Sequence, residues 1–103
     1  MQRLTALIEM LAAEPTNAFL LFALAKEYES NADDATALTY YLQCGEYNPD
    51  YVGLYYHLGK LYERAQDFDA AITAYTKGIA VAKAANDRHA QNELSMALME
   101  IEE

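Results

Sequence analysis

The sequence predicts an all-α fold, a stack of antiparallel helical hairpins, and three observations carry that expectation. The chain has only four Gly and two Pro in 103 residues, with long stretches free of both, which favours helices over a strand-and-turn fold. Its apolar residues recur with a helical period. It also repeats itself at an interval of 34 residues, a spacing typical of stacked supersecondary units that share one continuous core.

The repeat is read directly. Sliding the chain by 34 places Leu20 on Leu54, Leu24 on Leu58, Lys26 on Lys60, Tyr28 on Tyr62 and Glu29 on Glu63. It continues with Asp33 on Asp67, Ala37 on Ala71, Thr39 on Thr73 and Tyr41 on Tyr75. These nine coincidences fall between residues 17–50 and 51–84, where average residue usage gives roughly two. Pro15 on Pro49 extends the match.

Each unit reads as two helices. Leu21, Leu24, Ala25 and Tyr28 form one apolar stripe, as do Tyr55, Leu58, Gly59 and Tyr62. A second helix follows each, with Asp33 or Asp67 placed to cap it. Its stripe is Ala37, Tyr41 and Cys44 in one unit and Ala71, Tyr75 and Gly78 in the other. The short polar connections at 30–34 and 64–67 require the paired helices to run antiparallel. Pro49 suits the first turn of a following helix and stops the one before it. The ends carry half-units. Residues 2–13 hold Leu4, Leu7 and Leu11 where the second helix of a repeat has its stripe, and Asn86-Asp87 breaks the chain before a last amphipathic helix at 87–102. That helix has Ala90, Leu94, Ala97, Leu98 and Ile101 on one side, giving six helices in one domain over 1–103.

Composition narrows the function. Apolar residues are 53% of the chain, enough for a packed interior. Sixteen acids against seven bases leave a net charge of −9, which argues against nucleic acid and anionic membrane surfaces, since both need a basic footprint. The lone Cys44 rules out an internal disulfide and suits a reducing compartment. No apolar run approaches the length of about 18 residues that a membrane span needs. The expected setting is cytoplasmic, with neither leader nor membrane helix.

These residues resemble the tetratricopeptide repeat family. The second unit, "YYHLGKLYERAQDFDAAITAYTKGIA", follows the family pattern at Tyr55, Leu58-Gly59, Tyr62, Phe68, Ala71, Tyr75 and Gly78. The first follows it at Leu24-Ala25, Tyr28, Ala37, Tyr41, Cys44 and Pro49, and departs at Asp34, where an aromatic is usual; Lys83 stands where a third Pro would fall. The resemblance implies a right-handed superhelical stack with repeats at 17–50 and 51–84, an N-terminal half-repeat helix at 2–13 and a capping helix at 87–102. Small residues at 25, 59, 37, 71, 44 and 78 are expected where helix backbones approach closely.

The resemblance also implies a role in protein–protein interaction, as an adaptor or scaffold whose first helices line a concave groove for a peptide or protein segment. Position by position, that groove holds Phe19, Phe22, Lys26, Glu29 and Ser30 from the first repeat, and Gly53, Tyr56, Lys60, Glu63 and Arg64 from the second. An aromatic followed four residues later by a lysine occurs twice, as Phe22/Lys26 and Tyr56/Lys60. Aromatics anchor and cations steer carboxylates, so a short acidic peptide or a C-terminal segment is the candidate ligand. The competing reading pairs these lysines with Glu29, Glu63 or other acids on a solvated face and uses the aromatics for packing. The lysine-and-asparagine clamp of one subclass is missing: Phe22, Lys26, His57, Asp87 and Gln91 stand near its positions.

No enzyme is expected. Nucleophile elbows, phosphate loops and metalloprotease motifs do not occur. The only histidines, His57 and His89, and Cys44 fall short of the three or four converging ligands that zinc needs. No cofactor or metal is implied. The alternative function is structural: a self-assembling homo-oligomer joined through the C-terminal helix, where Met96 and Met99 lie off the main stripe, or through an exposed repeat end. The acidic tail "MEIEE" at 99–103 is a candidate for such a contact, against a frayed helix end.

Overall fold

A computed structural model describes residues 2–102. It contains six α-helices among the described residues and no strand. They are α1 (Gln2–Ala13), α2 (Ala18–Ser30), α3 (Asp34–Tyr47), α4 (Gly53–Arg64), α5 (Phe68–Ala84) and α6 (Arg88–Glu102). The chain divides into two compact units, Met1–Tyr51 and Val52–Glu103.

In the first unit, α2 and α3 form the central hairpin and α1 packs on α2. Leu7 of α1 is buried with Leu20, Ala23 and Leu24 of α2, and Leu4, Leu11, Tyr28 and Tyr40 pack around them. The Tyr28 and Tyr40 rings stack at 5.6 Å and 10°. The hairpin interior holds Leu21, Ala25, Ala37, Tyr41 and Cys44, all fully shielded from water. Arg3 on α1 pairs with Glu27 on α2 at 2.7 Å, an exposed contact that adds little stability by itself.

In the second unit, α5 packs against both α4 and α6. Tyr55, Leu58 and Gly59 of α4, Ala71, Ala74, Tyr75, Gly78 and Ala82 of α5, and Leu94 and Ala97 of α6 are its buried residues along these contacts. The stripe expected for the last helix therefore buries at its centre and is half-covered at Ala90, Leu98 and Ile101.

The two glycines are small for different reasons. A Cβ on Gly78 would meet Tyr55 Cβ at 2.5 Å and Leu94 Cδ1 at 3.0 Å, so α4 and α6 both press on α5 there. A Cβ on Gly59 would lie 2.2 Å from Cε1 of the Tyr75 ring. At that position the constraint is a buried aromatic ring and not a neighbouring backbone, as the sequence pattern had implied.

One connection recurs three times. Helices α2, α4 and α5 each end on a residue in the left-handed region: Ala32 at φ 61°, Gln66 at φ 62° and Asn86 at φ 57°. The next residue is an aspartate each time, and its backbone N–H reaches back to a helical carbonyl: Asp33 to Tyr28, Asp67 to Tyr62 and Asp87 to Ala82, all at 2.9 Å. This is the Schellman closure. The same aspartate then caps the next helix through its side chain, accepting from Thr36 N at 3.1 Å, Ala70 N at 3.2 Å and Ala90 N at 3.0 Å. Asn17 caps α2 in the same way, accepting from Leu20 N at 3.0 Å.

The α3–α4 connection is built differently. Pro49 does not open the following helix; α4 begins at Gly53. Pro49 lies instead in a turn closed by the Tyr51 N–H donating to Asn48 O at 3.0 Å, where its fixed φ suits the second position of the turn. The Asn48 side chain donates to Thr16 O at 2.9 Å and ties that turn to the start of its own unit.

A left-handed conformation costs an L-residue roughly 1–2 kcal/mol, and glycine offsets part of that gain through its greater freedom in the unfolded chain. Ala32→Gly and Gln66→Gly are each expected to stabilise by about 0.5–1 kcal/mol, a few degrees of Tm. Asn86→Gly should do less, because Asn already tolerates this region. Thermal unfolding followed by circular dichroism measures all three.

Candidate functional site

On α2, Phe19, Phe22, Lys26 and Glu29 stand three or four residues apart and share one face. Phe22 is half-buried, its ring 5.9 Å from Tyr41 and 5.6 Å from Tyr51 between centroids. It therefore packs the first unit as much as it faces outward. Phe19 is 62% exposed. With Gln2, Arg3, Ala6, Leu7 and Met10 it lines a largely apolar hollow of about 470 Å³ against α1. Lys26 is half-buried, and Ser30 is exposed at the helix end. The half-buried Glu29 accepts a hydrogen bond from the hydroxyl of the buried Tyr41.

The α4 face repeats this arrangement. Gly53 opens the helix. Tyr56 packs 6.4 Å from Tyr75 and meets His57 edge-on at 5.6 Å. The Lys60 ammonium sits 5.5 Å from the Tyr56 ring centre and 3.6 Å from Glu63 Oε2. Glu63 also accepts from the Tyr75 hydroxyl. Arg64 is exposed in the last turn, where a cation complements the helix dipole.

Each hairpin is thus cross-linked by a Tyr–Glu hydrogen bond, Tyr41 to Glu29 and Tyr75 to Glu63. A buried hydroxyl needs a partner, and the carboxylate supplies one. Burial raises the Tyr75 phenol well above its ordinary range, and the hydrogen bond to Glu63 raises it further, with smaller contributions from the charges of Glu63, Tyr56 and Glu100. The buried Cys44 thiol is pushed up to about 11 by burial alone. Its Sγ–H points to Ala18 O at 3.7 Å, so it is a protonated packing group and not a nucleophile.

A further wall comes from α6. Glu93, Met96, Ala97 and Glu100 face Tyr56 and Lys60 across a cleft of about 140 Å³ within the second unit. Met96 is 63% exposed there. Among the described residues no three His, Cys, Asp or Glu side chains converge as a metal site would require, and no helix is long and apolar enough to cross a membrane.

The family model described as "Tetratricopeptide repeat" matches residues 52–84. A TPR repeat-containing protein of Pseudomonas aeruginosa is 32% identical over 94 residues, covering 91% of this chain and 90% of its own. The chain belongs to the tetratricopeptide repeat family. The tetratricopeptide repeat domain protein of Salinibacter ruber, solved by crystallography, is 41% identical with a TM-score of 0.80, covering 84% of this chain and 96% of that one. Its solution structure gives a TM-score of 0.82 at 41% identity over 85% and 89% of the two chains. A Bordetella parapertussis protein solved in solution is 28% identical, with a TM-score of 0.80 over 95% of this chain and 85% of that one. The all-α helical-repeat fold and the general role of such repeats in protein interaction follow from this membership.

Two features of this tetratricopeptide repeat chain escaped the sequence reading. The Tyr–Glu bonds were visible as two matched pairs of coincidences, Glu29/Glu63 and Tyr41/Tyr75, each a hydrogen-bonding donor and acceptor 12 residues apart. Glu93 and Glu100 were passed over because they lie beside the apolar stripe of α6; with Met96 they fall three and four residues apart, one face of a helix.

Removing the Tyr75 hydroxyl tests the cross-link. Tyr75→Phe should cost about 1 kcal/mol near neutral pH. The folded phenol is raised above the ordinary phenol value of 10.0, so its contribution is complete below that pH and is lost as pH rises, because the unfolded chain releases the proton first. Urea unfolding from pH 8 to about 11 should show the gap between native and variant closing as pH rises. A gap independent of pH would mean that the hydroxyl is not held in this bond.

Proposed function

We propose that this chain is a protein-binding module, an adaptor or scaffold that holds a peptide or protein segment on the first-helix faces of its repeats. In this reading residues 17–50 and 51–84 are the repeats, 2–13 is a half-repeat and 87–102 a cap. The observation that supports it most is the duplicated face: aromatic, lysine and tyrosine-anchored glutamate at 22, 26 and 29, and again at 56, 60 and 63. Packing alone needs the aromatic and the tyrosine. It does not need a lysine at the same place in both repeats.

Contact residues divide by exposure. Phe19 and Arg64 stand outermost, whereas Phe22 and Tyr56 present ring edges from a packed position. For the acidic ligand expected from the lysines, Lys26, Lys60 and Arg64 are the cations on these faces. On α4, Lys60 lies 3.6 Å from Glu63. No catalytic step is assigned, and a short groove of this kind predicts modest affinity.

Photo-crosslinking tests the reading without altering charge balance at the lysines. Benzoylphenylalanine placed at Phe19 or at Arg64 should capture a protein partner from the native lysate. The same probe at Tyr47 or Phe68, 53% and 49% exposed on α3 and α5, should not. Capture from positions 47 and 68 alone would move the site off the first helices.

Self-association is the second reading, and Met96 and Met99, 63% and 64% exposed on α6, favour it. Light scattering over a hundredfold concentration range, as an order-of-magnitude span around typical weak dimers, decides it. A constant monomer mass removes this reading; a rising mass lost in Met96→Ser/Met99→Ser supports it.

A further inference from the structure

The cleft between α4 and α6 has a definite chemistry. Its α4 wall is the Tyr56 ring and Lys60; its α6 wall is Glu93, Met96, Ala97 and Glu100. Glu93 and Glu100 are two helical turns apart, about 10 Å along the axis, with Met96 between them. The one ammonium of the cleft is already committed: Lys60 is 3.6 Å from Glu63 and lies over the Tyr56 ring at 5.5 Å. Neither Glu93 nor Glu100 is in an ion pair among the described residues. The cleft therefore carries two carboxylates against one lysine that Glu63 also engages, an aromatic ring that accepts a cation, and an exposed, adaptable thioether.

We propose that this cleft receives a basic side chain, arginine above all, from the bound protein segment. The inference rests on the protein-binding reading and names the partner's chemistry at α4 and α6. A volume of about 140 Å³ is several waters' worth of space, room for one long side chain. The aliphatic stem lies along Met96, Ala97 and Tyr56, and the charged head reaches Glu93 or Glu100. Arginine fits better than lysine because its planar guanidinium stacks on aromatic rings, pairs bidentately with carboxylates and gives up water more easily. Long-range charge agrees: a chain of net charge −9 draws a basic side chain toward this cleft.

The test uses the full chain, isotope-labelled, and three small probes: N-acetyl-arginine amide, N-acetyl-citrulline amide and N-acetyl-glutamate amide. Citrulline keeps arginine's shape and loses its charge. The arginine probe should shift the amides of residues 56–60 and 93–100 saturably, and the citrulline probe should bind up to about fivefold more weakly, the size of one exposed charge pair. Glu93→Gln/Glu100→Gln, both on an exposed face, should lose the arginine preference with helicity unchanged. Raising salt should weaken the arginine probe alone. Equal binding of arginine and citrulline, shifts confined to other residues, preference for the glutamate probe, or an indifferent double variant would each overturn the proposal. The crosslinking result stands apart: a partner caught at Phe19 or Arg64 with no arginine preference keeps the module and removes only this inference, while an arginine preference without any partner on the first helices does the reverse.

Discussion

Burying a whole tyrosine leaves its hydroxyl without water, and the need to satisfy that group decides much of what surrounds it in both units. Tyr41 and Tyr75 are fully shielded, and each finds a glutamate on the preceding helix of its own hairpin. The ring needs room on that helix as well. Ala25 and Gly59 stand at the corresponding positions, and at Gly59 even a methyl group would lie 2.2 Å from the ring. A third requirement falls on the flank, where Phe22 or Tyr56 closes the side of the ring. One buried phenol thereby fixes a small residue, an acid and an aromatic on the first helix. The acid and the aromatic belong to the candidate face, so the core and the candidate site are held by the same side chain.

The aspartate connections set where each hairpin turns. A residue with positive φ reverses the chain, the next residue's N–H closes the finished helix, and its carboxylate opens the following one. Two helix ends that would each leave backbone groups unpaired are thus satisfied by two residues. The connection stays short, so the next helix runs back along the one just finished. Its third occurrence, at Asn86-Asp87, joins α5 to α6 by the same geometry as the two intra-repeat turns. Locally, α6 is attached to α5 as a partner helix.

Helix positions were legible in the sequence because apolar period, capping aspartates and the 34-residue match all speak through local chemistry. Pro49 shows the limit of that reading: proline is compatible with a helix start and with the second position of a turn, and only the Tyr51–Asn48 bond chooses between them. Gly59 shows another, since a small residue says that something comes close without saying whether it is backbone or ring. At the candidate site, the sequence shows that the aromatics and lysines share a helix face but not which charges are already paired. Lys60 and Glu63 are near in sequence and their pairing was foreseeable. The hydroxyl bonds and the acids of α6 depend on tertiary placement, and periodicity carries no information on them.

The charge arrangement in the second unit couples affinity to stability. Glu63, Glu93 and Glu100 stand around a single lysine, and like charges brought together on folding cost the folded state whatever their mutual repulsion amounts to. Glu100 also contributes to the raised Tyr75 phenol, so its field reaches the buried ring. A cation entering the cleft relieves that repulsion in the folded chain only, because the unfolded chain never assembles the carboxylates. By linkage, ligand binding and folding then reinforce each other. The same reasoning explains why an unpaired acidic wall can persist beside an otherwise satisfied core. Its cost is moderated by water while the cleft is open, and it is removed when a basic partner closes it.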